Sequence, residues 1–209
     1  MRAEDWDARY AKAPELWGFE PNQFVRARVA ALEPGRAVDI ACGNGRNAVW
    51  LARRGWDVTG VEISTVALGQ GAQRAANAGV EVDWVACDAT TWVPTQPLDL
   101  VLVCYLHLDL ADLLAMLRRA HAWLAPGGRL LYVGHARTNL ERGVGGPQDP
   151  SILAEIADLA AAAAGLKVLA LEHVIRTTDA GDAIDILLEA TTWDAGTPVG
   201  EHDPHHVRP

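Results

Sequence analysis

The chain has 209 residues, 50% of them hydrophobic, and sets Lys+Arg 18 against Asp+Glu 27 for a net charge of −9. That size allows one domain with one sizeable core, and an acidic balance with no evident Lys/Arg cluster disfavours a phosphate backbone as partner. The longest apolar runs, LVLVCYL and LAAAAAGL, fall well short of the roughly 20 residues that span a bilayer. No basic-then-apolar leader opens the chain, and Cys42, Cys87 and Cys104 lack the paired spacing of a disulfide framework or zinc site. The expectation is a cytoplasmic protein, monomer or homodimer, with reduced thiols, no resident metal, and neither a membrane nor a nucleic acid as partner.

In chain order, residues 1–32 read as a helical lid carrying Trp6, Tyr10, Trp17 and Phe24. The lid precedes the first strand and so lies near the strand ends where open α/β sheets bind ligands. Strands follow at RAVDIA (36–41), DVTGVE (57–62), VEVDWVAC (80–87), LDLVLVCYL (98–106), GRLLYVG (128–134), LKVLALEHVIR (166–176) and DAIDILLEATTW (182–193). Helices fall between them at 46–54, 64–78, 109–124 and 152–164, with Ser64 and Asp109 as N-caps. Pro126 stops a helix, and Gly127 with Gly128 turns the chain into the next strand. Only the short loop TTDAGD joins the last two strands, so they pair as an antiparallel hairpin. The fold class expected is α/β, a Rossmann-like, seven-stranded, mostly parallel sheet with helices on both faces and that hairpin at its end, all in one domain over 1–209. A flexible tail is expected over 195–209, whose His202, His205 and His206 could hold a metal ion but read more simply as a polar end.

The most informative segment is VDIACGNG (38–45). An apolar strand ends in a carboxylate, Asp39, and turns through Gly43 and Gly45 into a helix near Arg46. Glycine lets backbone approach a ligand closely, and the helix start offers unpaired N–H groups. A second acid, Glu62, closes the next strand about 20 residues on, where parallel folds hydrogen-bond a ribose diol. A third, Asp88, follows the next. A pyrophosphate cofactor wants a third glycine where Ala48 stands, and a carboxylate beside phosphate is unfavourable. Asp39 suits a ligand with positive charge. Each acid also has a structural alternative: Asp39 capping its turn, Glu62 capping the helix opened by Ser64, Asp88 closing an Asx turn with Thr90.

The string DIACGNGRNAVWLARRGWDVTGVEIS (39–64) resembles the first two motifs of class I S-adenosylmethionine-dependent methyltransferases, and its GRNAVWLA continuation resembles the tellurite-resistance and thiopurine-type small-molecule branch. LWGFEPNQF (16–24), CDAT (87–90), YLHLDL (105–110), LAPGGRLLYVGH (124–135) and NLERGVGGPQDP (139–150) fall in that family's order. Two departures are Ala41 where the first turn glycine is usual, and SILAEIADLAAAAAG, which shows no Pro or clear capping box at its start. The resemblance implies S-adenosylmethionine as cofactor, with Asp39 at the amino-acid portion, Glu62 at the ribose and Asp88 at the adenine. Ala41, Cys42, Gly43, Gly45, Ile63, Ala89 and Cys104 would complete the pocket. It implies a small-molecule acceptor, a soft nucleophile such as a thiol or chalcogen oxyanion, or alternatively a hydroxyl. A nicotinamide oxidoreductase and a non-catalytic cofactor-binding module are the other classes open.

His107, just past the fourth strand, and His135, closing the fifth, lie where this fold faces a transferred methyl. Either could accept a proton or only shape the wall. Tyr10, Trp17 and Asn22 from the lid, with Arg137 and Asn139 from the glycine-rich segment after the fifth strand, are the candidate acceptor contacts; that segment reads as a substrate cover or as a plain surface connection.

Overall fold

The computed structural model describes residues 2–13 and 18–193. Trp17 and the tail with His202, His205 and His206 lie outside them. Strands β1 (Arg36–Ile40), β2 (Asp57–Glu62), β3 (Asp83–Ala86), β4 (Leu98–Cys104), β5 (Leu124–His135), β6 (Lys167–Thr178) and β7 (Gly181–Thr191) form one 7-stranded sheet in the order β3-β2-β1-β4-β5-β7-β6. The first five run parallel; β7 is antiparallel to both β5 and β6, and the order reverses between β1 and β4. Ligands in open α/β sheets bind at such a reversal, beyond the carboxyl ends of the strands.

Strand alternation sorts apolar side chains onto two faces. Val101 and Val103 of β4 and Leu130 and Tyr132 of β5 pack against α5 (Leu110–Ala120) and α7 (Ile156–Ala162) through Leu113, Met116, Leu117 and Leu159. Leu100, Leu102, Leu131 and Val133 take the other face, under Val25 and Val29 of α2 (Gln23–Val29) and Ala48 and Leu51 of α3 (Arg46–Ala52). Each such aliphatic side chain contributes about 1.5–3 kcal/mol by leaving water. α4 (Thr65–Ala78) packs through Gly71 on the Trp84 ring. Among the described residues no helix is long and apolar enough to cross a membrane.

Several boundaries differ from the sequence expectation. The helix expected to reach residue 124 ends at Ala120, followed by a 3-10 turn over His121–Trp123, and Leu124 already pairs with Leu98. Pro126 therefore sits inside an irregular start of β5 and is not the helix stop. β4 ends at Cys104 because Tyr105 adopts a left-handed φ of +53°. α7 does have a cap, since the Asp158 carboxylate accepts from the Glu155 N–H at 2.9 Å, and Pro150 opens the 3-10 turn before it with Asp149 as its cap. Its box is acidic at both ends, which hid it from a search for Ser or Thr. The acidic surface also holds a basic patch that the sequence did not reveal. Arg26, Arg53 and Arg54, far apart or outward-facing in sequence, meet around Trp50 and Glu20 in an open hollow of about 460 Å³ beside α2 and α3.

Candidate functional site

β1 delivers Asp39 to the reversal. Asp39 is 0% exposed, and among the described residues neither carboxylate oxygen has a hydrogen-bond partner. Burial pushes its pKa up to about 7, against the pull of the Arg46 guanidinium and the nearby Ala48 amide and with a further push from Glu62. An orphaned buried carboxylate costs free energy unless a ligand supplies the missing partner.

The turn after Asp39 is built from left-handed residues: Ala41 at φ +56°, Gly43 at +55° and Gly45 at +75°. The two glycines are also required by contact, since a Cβ on Gly43 would stand 2.4 Å from the Tyr10 hydroxyl and one on Gly45 would stand 2.4 Å from the Trp84 ring. Ala41 has no such freedom and holds its angle under strain of about 1–2 kcal/mol. Ala41→Gly should therefore leave the melting temperature unchanged or raise it by a few degrees, the strain relieved outweighing the roughly 0.5–1 kcal/mol of added chain entropy. A drop of several degrees in a thermal melt contradicts that account.

Glu62 bridges the turn to the next loop. One oxygen accepts from the Gly43 N–H at 3.0 Å, the other from Ile63 and Ser64 at 2.8 and 2.9 Å. Burial raises its pKa, and those three amides restrain the rise. Three of its roughly four lone-pair positions are taken. Ser64 caps α4, its hydroxyl accepting from Ala67 at 3.1 Å, and Glu62 accepts from the amides at the entry to that helix, as its structural alternative expects. Asp88 is exposed and closes a turn by accepting from the Thr90 amide and hydroxyl, each at 2.7 Å. Ala89, Cys42 and Cys104 are buried, and burial drives both thiols well above their ordinary range.

α1 (Ala3–Lys12) packs on α4. Asp7 accepts from the Ser64 hydroxyl at 2.6 Å and the Val66 amide at 3.1 Å, and Gln70 donates to the Tyr10 carbonyl at 3.0 Å. Nothing in the sequence singled out Asp7 or Gln70, because the contact joins segments far apart along the chain. Trp6 stacks on His107 with centroids 5.9 Å apart, and His107 stacks on His135 at 6.0 Å. The two histidines called from sequence are thus neighbours. His107 Nε2 is buried and has no hydrogen-bond partner among the described residues, and burial, helped by His135 and Arg9, lowers its pKa to about 4. It is neutral across the physiological range.

His135 sits in a denser network. Its Nδ1 lies 3.1 Å from Asp185 Oδ1; Asp185 Oδ2 accepts from the Tyr105 hydroxyl at 2.7 Å and from Arg176 Nε at 2.8 Å. Burial alone would raise the Asp185 pKa, but the bonds from His135, Arg176 and Tyr105 outweigh it and hold the carboxyl below its usual value. Asn22, the cap of α2, donates to the Tyr105 hydroxyl at 3.3 Å and ties its own amide to Asn47 at 2.9 Å. Tyr105, Arg176 and Asp185 escaped the sequence reading: their meeting depends on the β5-β7-β6 register.

The two acceptor-side candidates after β5 are otherwise employed. Arg137 donates to the Leu153 carbonyl at 3.1 Å through Nη2 and pairs with Glu155 at 3.4 Å, which turns its charge toward the loop before α7. Asn139 is buried, donating to the Gly145 carbonyl at 2.9 Å and accepting from the Ile184 amide at 2.7 Å. Both fasten the glycine-rich segment, whose Gly146 packs against His135.

Comparison with known proteins agrees with this geometry. Residues 37–128 match the family described as a methyltransferase domain. The chain is 32% identical over 137 residues to a trans-aconitate 2-methyltransferase of Streptomyces avermitilis, covering 54% of this chain and 49% of that one. It is 32% identical over 153 residues to a ubiquinone biosynthesis O-methyltransferase of Caulobacter sp., covering 66% and 60%. The chain thus spans about half to three fifths of these relatives' lengths. TehB from Haemophilus influenzae superposes with a TM-score of 0.72 at 15% identity, over 90% of this chain and 67% of that one, a likeness of fold. The acid-ended glycine turn lies within residues 37–128, the stretch that is similar to the methyltransferase domain family.

Proposed function

We propose that this protein transfers a methyl group from S-adenosylmethionine to a small-molecule acceptor. The observation that carries the reading is Asp39, a buried carboxylate behind a glycine turn whose oxygens have no hydrogen-bond partner among the described residues. The ammonium of a sulfonium amino acid would supply the donors that the Arg46 guanidinium, which acts on Asp39 only through its charge, does not. In this reading Asp39 faces the cofactor's ammonium, Glu62 offers its remaining lone pair to the ribose, and Asp88 with Ala89 flanks the adenine. The amides at Cys42, Gly43 and Ile63 line the rest. When bound, S-adenosylmethionine supplies a methyl on a positively charged sulfur that departs as a neutral thioether. The protein's work is to bring an acceptor in line and keep water out.

The acceptor side is formed by Tyr10 and Asn22 from the lid and by His107 and His135, with Arg137 and Asn139 holding the cover segment and not touching the acceptor. A soft acceptor of the tellurite-resistance or thiopurine-type kind needs no base. A hydroxyl acceptor does, and His135 is placed for it. The relatives named for trans-aconitate and for an O-methyl transfer in ubiquinone biosynthesis support a small-molecule acceptor. Calorimetry with S-adenosylhomocysteine, followed by a screen of thiols, chalcogen oxyanions and phenols with labelled cofactor, tests the proposal. Micromolar binding and label transfer to one class are expected; absence of binding heat, or a thermal shift by NAD instead, overturns it.

A further inference from the structure

We propose that Asp185 is the positioning residue of a His135–Asp185 dyad that serves an acceptor bearing a weakly acidic hydroxyl, an inference that rests on the methyl-transfer reading above. Asp185 lies directly opposite His135 in the β5-β7 register and is 0% exposed. Its oxygens face three donors with distinct tasks. Arg176 reaches it from β6 through Nε at 2.8 Å and, more weakly, through Nη2 at 3.5 Å. The Tyr105 hydroxyl, 2.7 Å away, comes from the end of β4. Arg176 and Tyr105 can only donate to a carboxylate at these positions, so Asp185 is held ionised, and Oδ1, which takes the weaker Arg176 Nη2 contact, keeps a lone pair to accept from His135 Nδ1 at 3.1 Å.

A ring that donates from Nδ1 must, when neutral, present a bare Nε2. Among the described residues only Nδ1 of His135 has a hydrogen-bond partner. The Nδ1 edge is also closed by the cover segment, since a Cβ on Gly146 would stand 3.1 Å from that atom. Nε2 is therefore the end of the ring available to an acceptor. Tyr105 holds its place at a left-handed φ of +53°, beside the equally strained Ala41 at the ends of adjacent strands β4 and β1. Strain in non-glycine residues concentrates where side chains must be aimed. A salt bridge serving stability alone needs Arg176 and Asp185, not a histidine at the strand edge and a strained tyrosine.

The chemistry balances without a further reagent. His135 Nε2 takes the proton of the acceptor hydroxyl; the oxygen keeps the O–H pair, which becomes its bond to the methyl carbon, while the carbon–sulfur pair stays on sulfur. A thiolate or oxyanion acceptor would leave the dyad without a task.

The test is ligand-free and needs no known acceptor. Long-range proton–nitrogen NMR on the 15N-labelled full chain at pH 8 should find neutral His135 protonated at Nδ1 and bare at Nε2. In Asp185→Asn, Arg176 and Tyr105 claim the amide oxygen, the amide NH2 turns to His135, and the ring should switch to the Nε2–H tautomer; Tyr105→Phe should keep the wild-type tautomer. An Nε2–H tautomer in the wild-type chain overturns the dyad, and so does a tautomer unmoved by a folded Asp185→Asn. Should that variant not fold, the wild-type spectrum still decides. Calorimetry with S-adenosylhomocysteine on the wild-type chain reads the cofactor assignment separately, so loss of one result does not imply loss of the other.

Discussion

Replacing Asp39 with Asn should make the ligand-free protein more stable and its hold on S-adenosylhomocysteine weaker. The carboxyl sits at a pKa of about 7 in the fold against an ordinary value of 3.8, with burial as the leading cause. A shift of that size makes the ionised form about 4 kcal/mol less favourable in the folded state than in the unfolded chain. The sign follows from proton counting. Between about pH 4 and 7 the folded state binds more protons at Asp39 than the unfolded state, so this group lowers stability as pH rises and reaches its full penalty above 7. Asn cannot ionise. The stability of Asp39→Asn relative to wild type should therefore climb by about 1.4 kcal/mol per pH unit across that window and level off above it. A buried amide without partners retains some cost, so the net gain near pH 8 should be about 2 kcal/mol.

Ligand affinity should move the other way. A unit charge facing a cation a few ångströms away at a partly screened site contributes a few kcal/mol, so Asp39→Asn should weaken binding roughly 30-fold or more. Wild-type affinity should rise with pH through about 7 as Asp39 ionises, while the variant stays flat. Denaturant melts between pH 4 and 8 paired with calorimetry make the check. A variant that binds as tightly as wild type would remove Asp39 from the cofactor site.

Turnover is where His135→Ala should act. General-base catalysis contributes roughly 10²- to 10⁴-fold, so kcat with a phenolic acceptor should fall at least 100-fold. The KM for cofactor should change less than about threefold, because in the proposed site the ring serves the acceptor and the interaction lost matters in the transition state. With a thiolate acceptor the same variant should lose less than about tenfold, since no proton has to leave. Steady-state kinetics on both acceptor types separates the two readings of the site. Loss of kcat within threefold of wild type on a phenol would reduce His135 to a wall of the pocket. His107 cannot substitute: burial keeps its pKa near 4, and its Nε2 is enclosed.

Residues that act through their place at a strand end were legible from the chain alone. Asp39 stands one residue before the end of β1 and Glu62 ends the parallel strand β2, with Asp39 opposite Gly60, two residues before Glu62. Apolar runs, a glycine turn and an acid about 20 residues on are local signals, and a parallel α/β sheet puts all its strand ends on one side. The alternation of strands and helices likewise forecast the sheet and its closing hairpin. Ala41 was visible as a departure; that it would hold a left-handed angle follows from the turn it has to complete.

Other assignments depended on partners that no local pattern names. Asp88 reaches Thr90, Arg137 the Leu153 carbonyl, and Asn139 the backbone of β7, so residue types suited to a ligand are held by their own loops. Asp185 and Arg176 carry no local signal that marks them out within the hairpin. Which of them meets His135 is a matter of register, and a slip of one residue would send Asp185 to the opposite face. The sequence alone determined the sheet, the glycine turn and the carboxylates at its crest, because these follow from short-range periodicity and chain direction. Tertiary structure alone decided the His135–Asp185 pairing, the docking of α1 through Asp7, and the basic hollow around Trp50, because each joins side chains whose proximity is set by packing and strand register between distant segments.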